Sequence, residues 1–191
     1  FLCRAVEIAG RLGARCVSFW AGTAIDSANH SENMERLAET LPRLMAHAKA
    51  HRVVLAMEPE PGMAIDTMAS FAELLDLLQS RGVDHRELGL TIDIGHLHCL
   101  GELPIADHLR AWGDRLRNVH IEDMRSGVHE HLMFGEGEID FPPILAALGE
   151  MGYAGPLTVE LSRHSHIGPE AARQAYEFLQ PLVPPSRSPL D

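Results

Sequence analysis

The sequence predicts an α/β fold of the parallel-barrel class, (β/α)8, on three observations. Short apolar runs alternate with segments of helical periodicity along the whole chain, the signature of strands buried under helices. No run is followed by GxGxxG or GxxxxGK[ST], the phosphate loops that an open doubly wound sheet usually carries. Glu58, Asp93, His120 and Glu160 each close an apolar run, VVLAM, LGLTI, LRNV and PLTV respectively. In a barrel all strands end on one face, so side chains scattered over a hundred positions of sequence can converge there.

The elements follow in order. AVEIAGRLGA reads as a helix already under way at Phe1, with apolar Ala5, Ile8, Ala9 and Leu12. Cys16 to Trp20 is a strand after Gly13, and Ser31 to Arg52 carries Leu37, Leu41, Leu44, Met45 and Ala48 at helical spacing. Val53 to Met57 is the next strand; a Pro/Gly turn (Pro59, Pro61, Gly62) leads to a helix opened by Asp66 or Thr67 and closed near Gly82. Leu88 to Ile92 is a strand, Ile105 to Trp112 a short helix, Leu116 to Val119 a strand, and an irregular stretch rich in His and Gly follows. Asp140 caps a helix with Pro142 in its first turn. Gly152 and Gly155 flank the turn into the strand Leu157 to Val159, and Gly168-Pro169 starts a final helix reaching about Leu182. About six of eight strands are thus expected, in one domain over residues 1–182 that is truncated at its N-terminus, with a flexible tail at 183–191.

Composition narrows the function classes. The chain has 191 residues, 46% of them hydrophobic, enough for one continuous core. A net charge of −11 without a basic cluster argues against a surface that tracks nucleic-acid phosphates, so no nucleic-acid partner is expected. Cys3, Cys16 and Cys99 have no metal-finger spacing and leave an odd thiol, which fits a reduced, cytoplasmic setting. No apolar run approaches the ~20 residues of a membrane span.

Three carboxylates and an imidazole meeting at one point would repel one another without a cation, so a divalent metal at Glu58, Asp93, His120 and Glu160 is the economical reading. Singly, each has an ordinary alternative: Asp93 as a helix cap, His120 as a core histidine, Glu58 as a loop carboxylate with Glu60 beside it. His96, one turn beyond Asp93, can hydrogen-bond a substrate oxygen or lie at the surface, and His98 is expected in solvent. Trp20, at a strand end, is core or a stacking wall for a sugar. Arg125 grips a substrate or is a solvated loop residue. Asp123 is a candidate to orient His120 from behind.

The phrases MEPEPG, TIDIGH, NVHIED, FGEGEIDF and MGYAGPLTVEL, in that order, resemble the xylose isomerase-like TIM barrel superfamily, which holds sugar isomerases and epimerases and AP-endonuclease repair enzymes. The resemblance runs from about residue 3 to residue 182. It implies that Glu58, Asp93, His120 and Glu160 are the metal ligands and that the two glutamates double as catalytic acid and base. Mn²⁺, Mg²⁺ or Co²⁺ is favoured, with Zn²⁺ an alternative. The nuclease members hold a further metal with residues matching His96, His129 and His131, so this trio is either substrate-binding or a second metal centre. Trp20 stands where the nucleases have a histidine ligand, and their complete trinuclear site is not available here. The resemblance therefore implies a metal-dependent isomerase or epimerase of a sugar or polyol, working by proton transfer at a carbon beside a carbonyl. AP-endonuclease-like hydrolysis, dehydration at the same kind of site, and an inactive partial barrel are the alternatives, and homo-oligomerisation is left open.

Overall fold

The computed structural model describes residues 1–23 and 30–183, so the tail anticipated at 183–191 lies, from 184 onward, outside the described residues. The chain divides into two compact units. One comprises 1–93 with 114–119, the other 94–113 with 120–191.

The first unit is built from repeating helix and strand. Helix α1 (Leu2–Leu12) stops at Gly13, whose left-handed φ of 73° lets its N–H return to Ala9 and Gly10. Strand β1 (Cys16–Trp20), helix α2 (His30–Ala50), strand β2 (Val54–Glu58), helix α3 (Met68–Ser80) and strand β3 (Leu88–Asp93) follow. Thr67 opens α3 as a full capping box with Ser70, which settles the choice between Asp66 and Thr67. The β1/β2 and β2/β3 pairs are parallel, with Trp20 opposite Glu58 and Met57 opposite Leu90. All six residues of β3 are buried, as expected of a parallel strand covered on both faces. Leu55, Met57, Leu88, Leu90 and Ile92 from the strands are at most 1% exposed, as are Leu41, Phe71, Leu74 and Leu78 from the helices. Gly89 is required in this layer, because a Cβ there would lie 2.7 Å from Arg117 Cγ and 2.9 Å from Val54 Cγ1.

Strand β4 (Leu116–Ile121) begins in the first unit and ends in the second, and the five-stranded sheet has the order β1-β2-β3-β4 and then β7 (Leu157–Val159). This is the strand arrangement of the TIM-barrel class.

The second unit also holds α4 (Ile94–Cys99), α5 (Ile105–Trp112), β5 (Asp123–Arg125), β6 (Val128–Leu132), α6 (Phe141–Glu150) and α7 (Gly168–Leu179). Helix α4 starts without a break after Asp93. The stretch expected to be irregular is an ordered antiparallel hairpin, β5 with β6, pairing Asp123 with Leu132 and Arg125 with Val128. Its alternation was hidden because three of its residues, His129, Glu130 and His131, are all polar. Asp140 precedes α6 but makes no side-chain cap bond, and α7 ends at Leu179 rather than Leu182. Phe134, Phe141 and Phe178 pack with ring centroids 5.2 to 5.6 Å apart, fastening the loop before α6 to α7. Cys3, Cys16 and Cys99 are free thiols. Among the described residues no helix is long and apolar enough to cross a membrane.

Candidate functional site

In the first unit the parallel register brings the carboxyl ends of neighbouring strands side by side. Glu58 ends β2 and Asp93 ends β3; they are 3% and 2% exposed. Two buried carboxylates at adjacent strand ends carry a large desolvation cost unless charge or hydrogen bonding offsets it. The turn after Glu58 is closed by the Glu60 N–H donating to the Ile65 carbonyl and the Met63 N–H to the Glu60 carbonyl. Ser18, Thr91 and Asn118 form a polar chain across β1, β3 and β4, with Ser18 Oγ 2.5 Å from Thr91 Oγ1 and Asn118 Nδ2 donating to Ser18 Oγ at 3.4 Å. Small hydroxyl and amide residues inside strand runs gave no sequence signal for this chain of contacts.

Trp20 ends β1 and is 55% exposed while Phe19 before it is buried, the alternation of a strand whose two faces differ. Both line a cavity of about 300 Å³ with Asn33, Arg36 and Leu37 of α2.

In the second unit His120, near the end of β4, places Nδ1 2.7 Å from Glu160 Oε2, just past β7. The Glu160 N–H donates to the Ile121 carbonyl, which fixes the backbone that carries this pair. Hydrogen bonding to His120 holds the Glu160 carboxyl below the ordinary carboxylate range against the opposing effect of burial, with weaker help from the charges of His131 and His96.

A second constellation lies wholly within this unit. His96 projects from α4 and is 3% exposed; His129 and His131, two apart on β6, lie on one face of the strand. One ligand atom from each of the three rings falls within 4.8 Å of the others, and His96 Nε2 lies 3.1 Å from His129 Nε2. At that separation one ring donates to the other, or both direct lone pairs at a shared cation. Three imidazoles suit Zn²⁺, Mn²⁺ or Co²⁺.

Glu122 was missed by sequence reasoning. It is fully buried, and its Oε1 is 3.7 Å from His131 Nδ1. The alternating strand NVHIED continues past His120, and that period is the signal that would have marked Glu122 as inward-facing. Asp123, anticipated behind His120, is instead given to the loop at 133–139. Its carboxylate accepts from the Met124, Gly135, Gly137 and Ile139 N–H groups at 2.8 to 3.2 Å. Arg125 is exposed and donates to the Glu136 carbonyl at 2.8 Å. His98, expected in solvent, has a side chain only 12% exposed, 3.8 Å from Glu138.

A family model described as xylose isomerase-like TIM barrel matches residues 1–182. Among curated proteins the chain is similar to inosose dehydratase of Lacticaseibacillus casei, 30% identical over 146 residues, covering 68% of this chain and 47% of that protein. It is also similar to L-ribulose-5-phosphate 3-epimerase UlaE of Escherichia coli, 26% identical over 168 residues, covering 88% and 57%. The chain thus spans about half the length of the curated relatives it matches. Among solved structures, the IolI protein with a bound zinc atom superposes with a TM-score of 0.76 at 21% identity, over 95% of this chain and 67% of that one.

Proposed function

We propose that this chain, which belongs to the xylose isomerase-like TIM barrel family, carries the metal-binding and proton-transfer residues of a sugar or polyol isomerase or epimerase. The observation that carries the reading is the placement of metal-type donors at strand ends: Glu58 and Asp93, buried, on β2 and β3, and His120 paired with Glu160 at the ends of β4 and β7. The named activities of the relatives, an epimerase and a dehydratase of polyhydroxylated carbonyl compounds, support it.

In this reading Glu58, Asp93, His120 and Glu160 hold one divalent cation, whose charge when bound stabilises the oxygen that turns anionic as a proton leaves the neighbouring carbon. The donor set fits such an ion: mixed carboxylate and imidazole ligands suit Mn²⁺, Mg²⁺, Co²⁺ and Zn²⁺ alike. Glu58 and Glu160 are the acid and base; Glu160 is the ionised partner near neutral pH, its carboxyl held below the ordinary range by His120. Trp20, His96, His129 and His131 face the substrate, the histidines donating to or accepting from its hydroxyls. Arg125 joins them only by giving up its bond to Glu136. A second ion at His96, His129 and His131 is the alternative use of that trio.

The reading is tested by titrating Mn²⁺ into the protein and its Asp93→Ala and His120→Ala variants, and by running ketose substrates in deuterium oxide. One strong Mn²⁺ site lost in both variants, with solvent deuterium in an epimerised product, is the expected result. Unchanged Mn²⁺ binding in the variants, or product free of solvent deuterium, overturns it. The similarity to inosose dehydratase favours a second reading, elimination of a hydroxyl beta to the carbonyl at the same residues. Product lighter by one water identifies it.

A further inference from the structure

Glu122 has no part in the reading above, yet among the described residues it is the most deeply buried carboxylate of the second unit. Both of its oxygens are shut off from solvent, as is His131 Nδ1, and the two groups face each other at 3.7 Å. The space that the carboxylate occupies exists because residue 95 is glycine: a Cβ there would overlap Glu122 Oε1 and lie 2.7 Å from Met124 Cε. Gly95 has no left-handed φ to explain it, so close approach of the Glu122 head group is the physical reason for glycine at the start of α4. Two separate features, a buried acid and a side-chain vacancy, thus serve one placement.

A neutral imidazole carries one proton, and the group beside one ring nitrogen decides where it sits. An acceptor oxygen facing Nδ1 favours the N–H at Nδ1 and leaves the lone pair on Nε2. Histidines that hold metals or orient substrates use this arrangement, the far nitrogen being held by a carboxylate. We propose that Glu122 is a positioning residue for His131: it draws the ring proton to Nδ1 so that His131 offers its Nε2 lone pair to a ligand shared with His96 and His129. This rests on reading that trio as a ligand-binding cluster. It assigns Glu122 and Gly95 to the cluster and makes His131 an acceptor rather than a donor.

The test reads the tautomer directly, without metal or substrate. Two-bond ¹⁵N–¹H correlation spectra of [¹⁵N]histidine-labelled protein, at mildly alkaline pH, report which nitrogen of His131 carries the proton. The expected result is the Nδ1–H form in the wild-type protein and a shift toward Nε2–H in Glu122→Met, which keeps the volume and removes the acceptor. Gly95→Ala, with Glu122 chemically intact but displaced, is expected to shift the tautomer in the same direction. Zn²⁺ affinity of the trio should fall about 10–100-fold in Glu122→Met. A wild-type His131 protonated at Nε2 overturns the proposal, and needs no variant to fold. So does an unchanged tautomer in a folded Glu122→Met. Absence of Zn²⁺ binding alongside an Nδ1–H tautomer sinks the ligand-cluster reading and with it the ligand half of the proposal, while the tautomer set by Glu122 stands.

Discussion

Replacing Asp123 tests how the loop at 133–139 is held against the β5–β6 hairpin. Oδ1 accepts from the Met124 and Ile139 N–H groups, and Oδ2 from those of Gly135 and Gly137. Asp123 is 2% exposed, so Asp123→Ala removes four acceptor contacts at once. At about 1.5–3 kcal/mol for each hydrogen bond to a charged group, simple addition gives about 6–12 kcal/mol. The four share one carboxylate and the glycine amides are partly accessible to water, so the realised loss should be about 3–5 kcal/mol, as when a buried charge loses its partners. Asp123→Asn separates the two oxygens. Whichever way its amide turns, one pair of N–H groups keeps an acceptor and the other pair faces an NH₂, so the loss should be at least about half that of alanine. Urea unfolding gives the totals, and amide hydrogen exchange at Met124, Gly135, Gly137 and Ile139 locates them. A loss under about 1 kcal/mol in Asp123→Ala, the size of a single ordinary hydrogen bond, would refute the clamp.

Three further outcomes are expected. Leu90→Ala, at a fully buried position of β3, should cost about 2–5 kcal/mol by urea unfolding, and a cost below that range would mean the strand is not covered on both faces. Thr67→Ala removes one half of the α3 capping box and should cost about 1 kcal/mol, with α3 amides near Ser70 exchanging faster. Because hydrogen bonding to His120 lowers the Glu160 pKa from its ordinary 4.5, the pair stabilises the fold above the unfolded carboxyl's pKa, and that contribution is lost as pH falls through the folded value. His120→Ala should therefore raise the midpoint of the Glu160 carboxyl ¹³C titration; an unmoved or lower midpoint contradicts the pairing.

Much of the fold was legible because burial leaves a periodic trace. Apolar runs of four or five residues predicted β1 to β4 and β7 to within about a residue or two, the ordinary uncertainty at element ends. The hairpin at Asp123–Leu132 was not legible. Its face carries His129 and His131, which leave no apolar alternation to read, and its pairing depends on backbone contacts between segments. Helix α7 ends at Leu179, short of Leu182: Gln180 still has helical φ and ψ, but Pro181 has no N–H to continue the ladder.

The sequence by itself determined the class of fold and the positions of Glu58, Asp93, His120 and Glu160 at strand ends, since both follow from local pattern and chain order. It also showed that His96, His129 and His131 were chemically apt. Only the tertiary structure decided what these residues touch. It spent Asp123 on four loop amides rather than on His120, turned Arg125 to a carbonyl, drew His98 out of solvent, and set Glu122 against His131 in a space kept open by Gly95. Those outcomes depend on distances between segments remote in sequence, where hydrogen bonds and close packing act over a few ångström and no local periodicity records them.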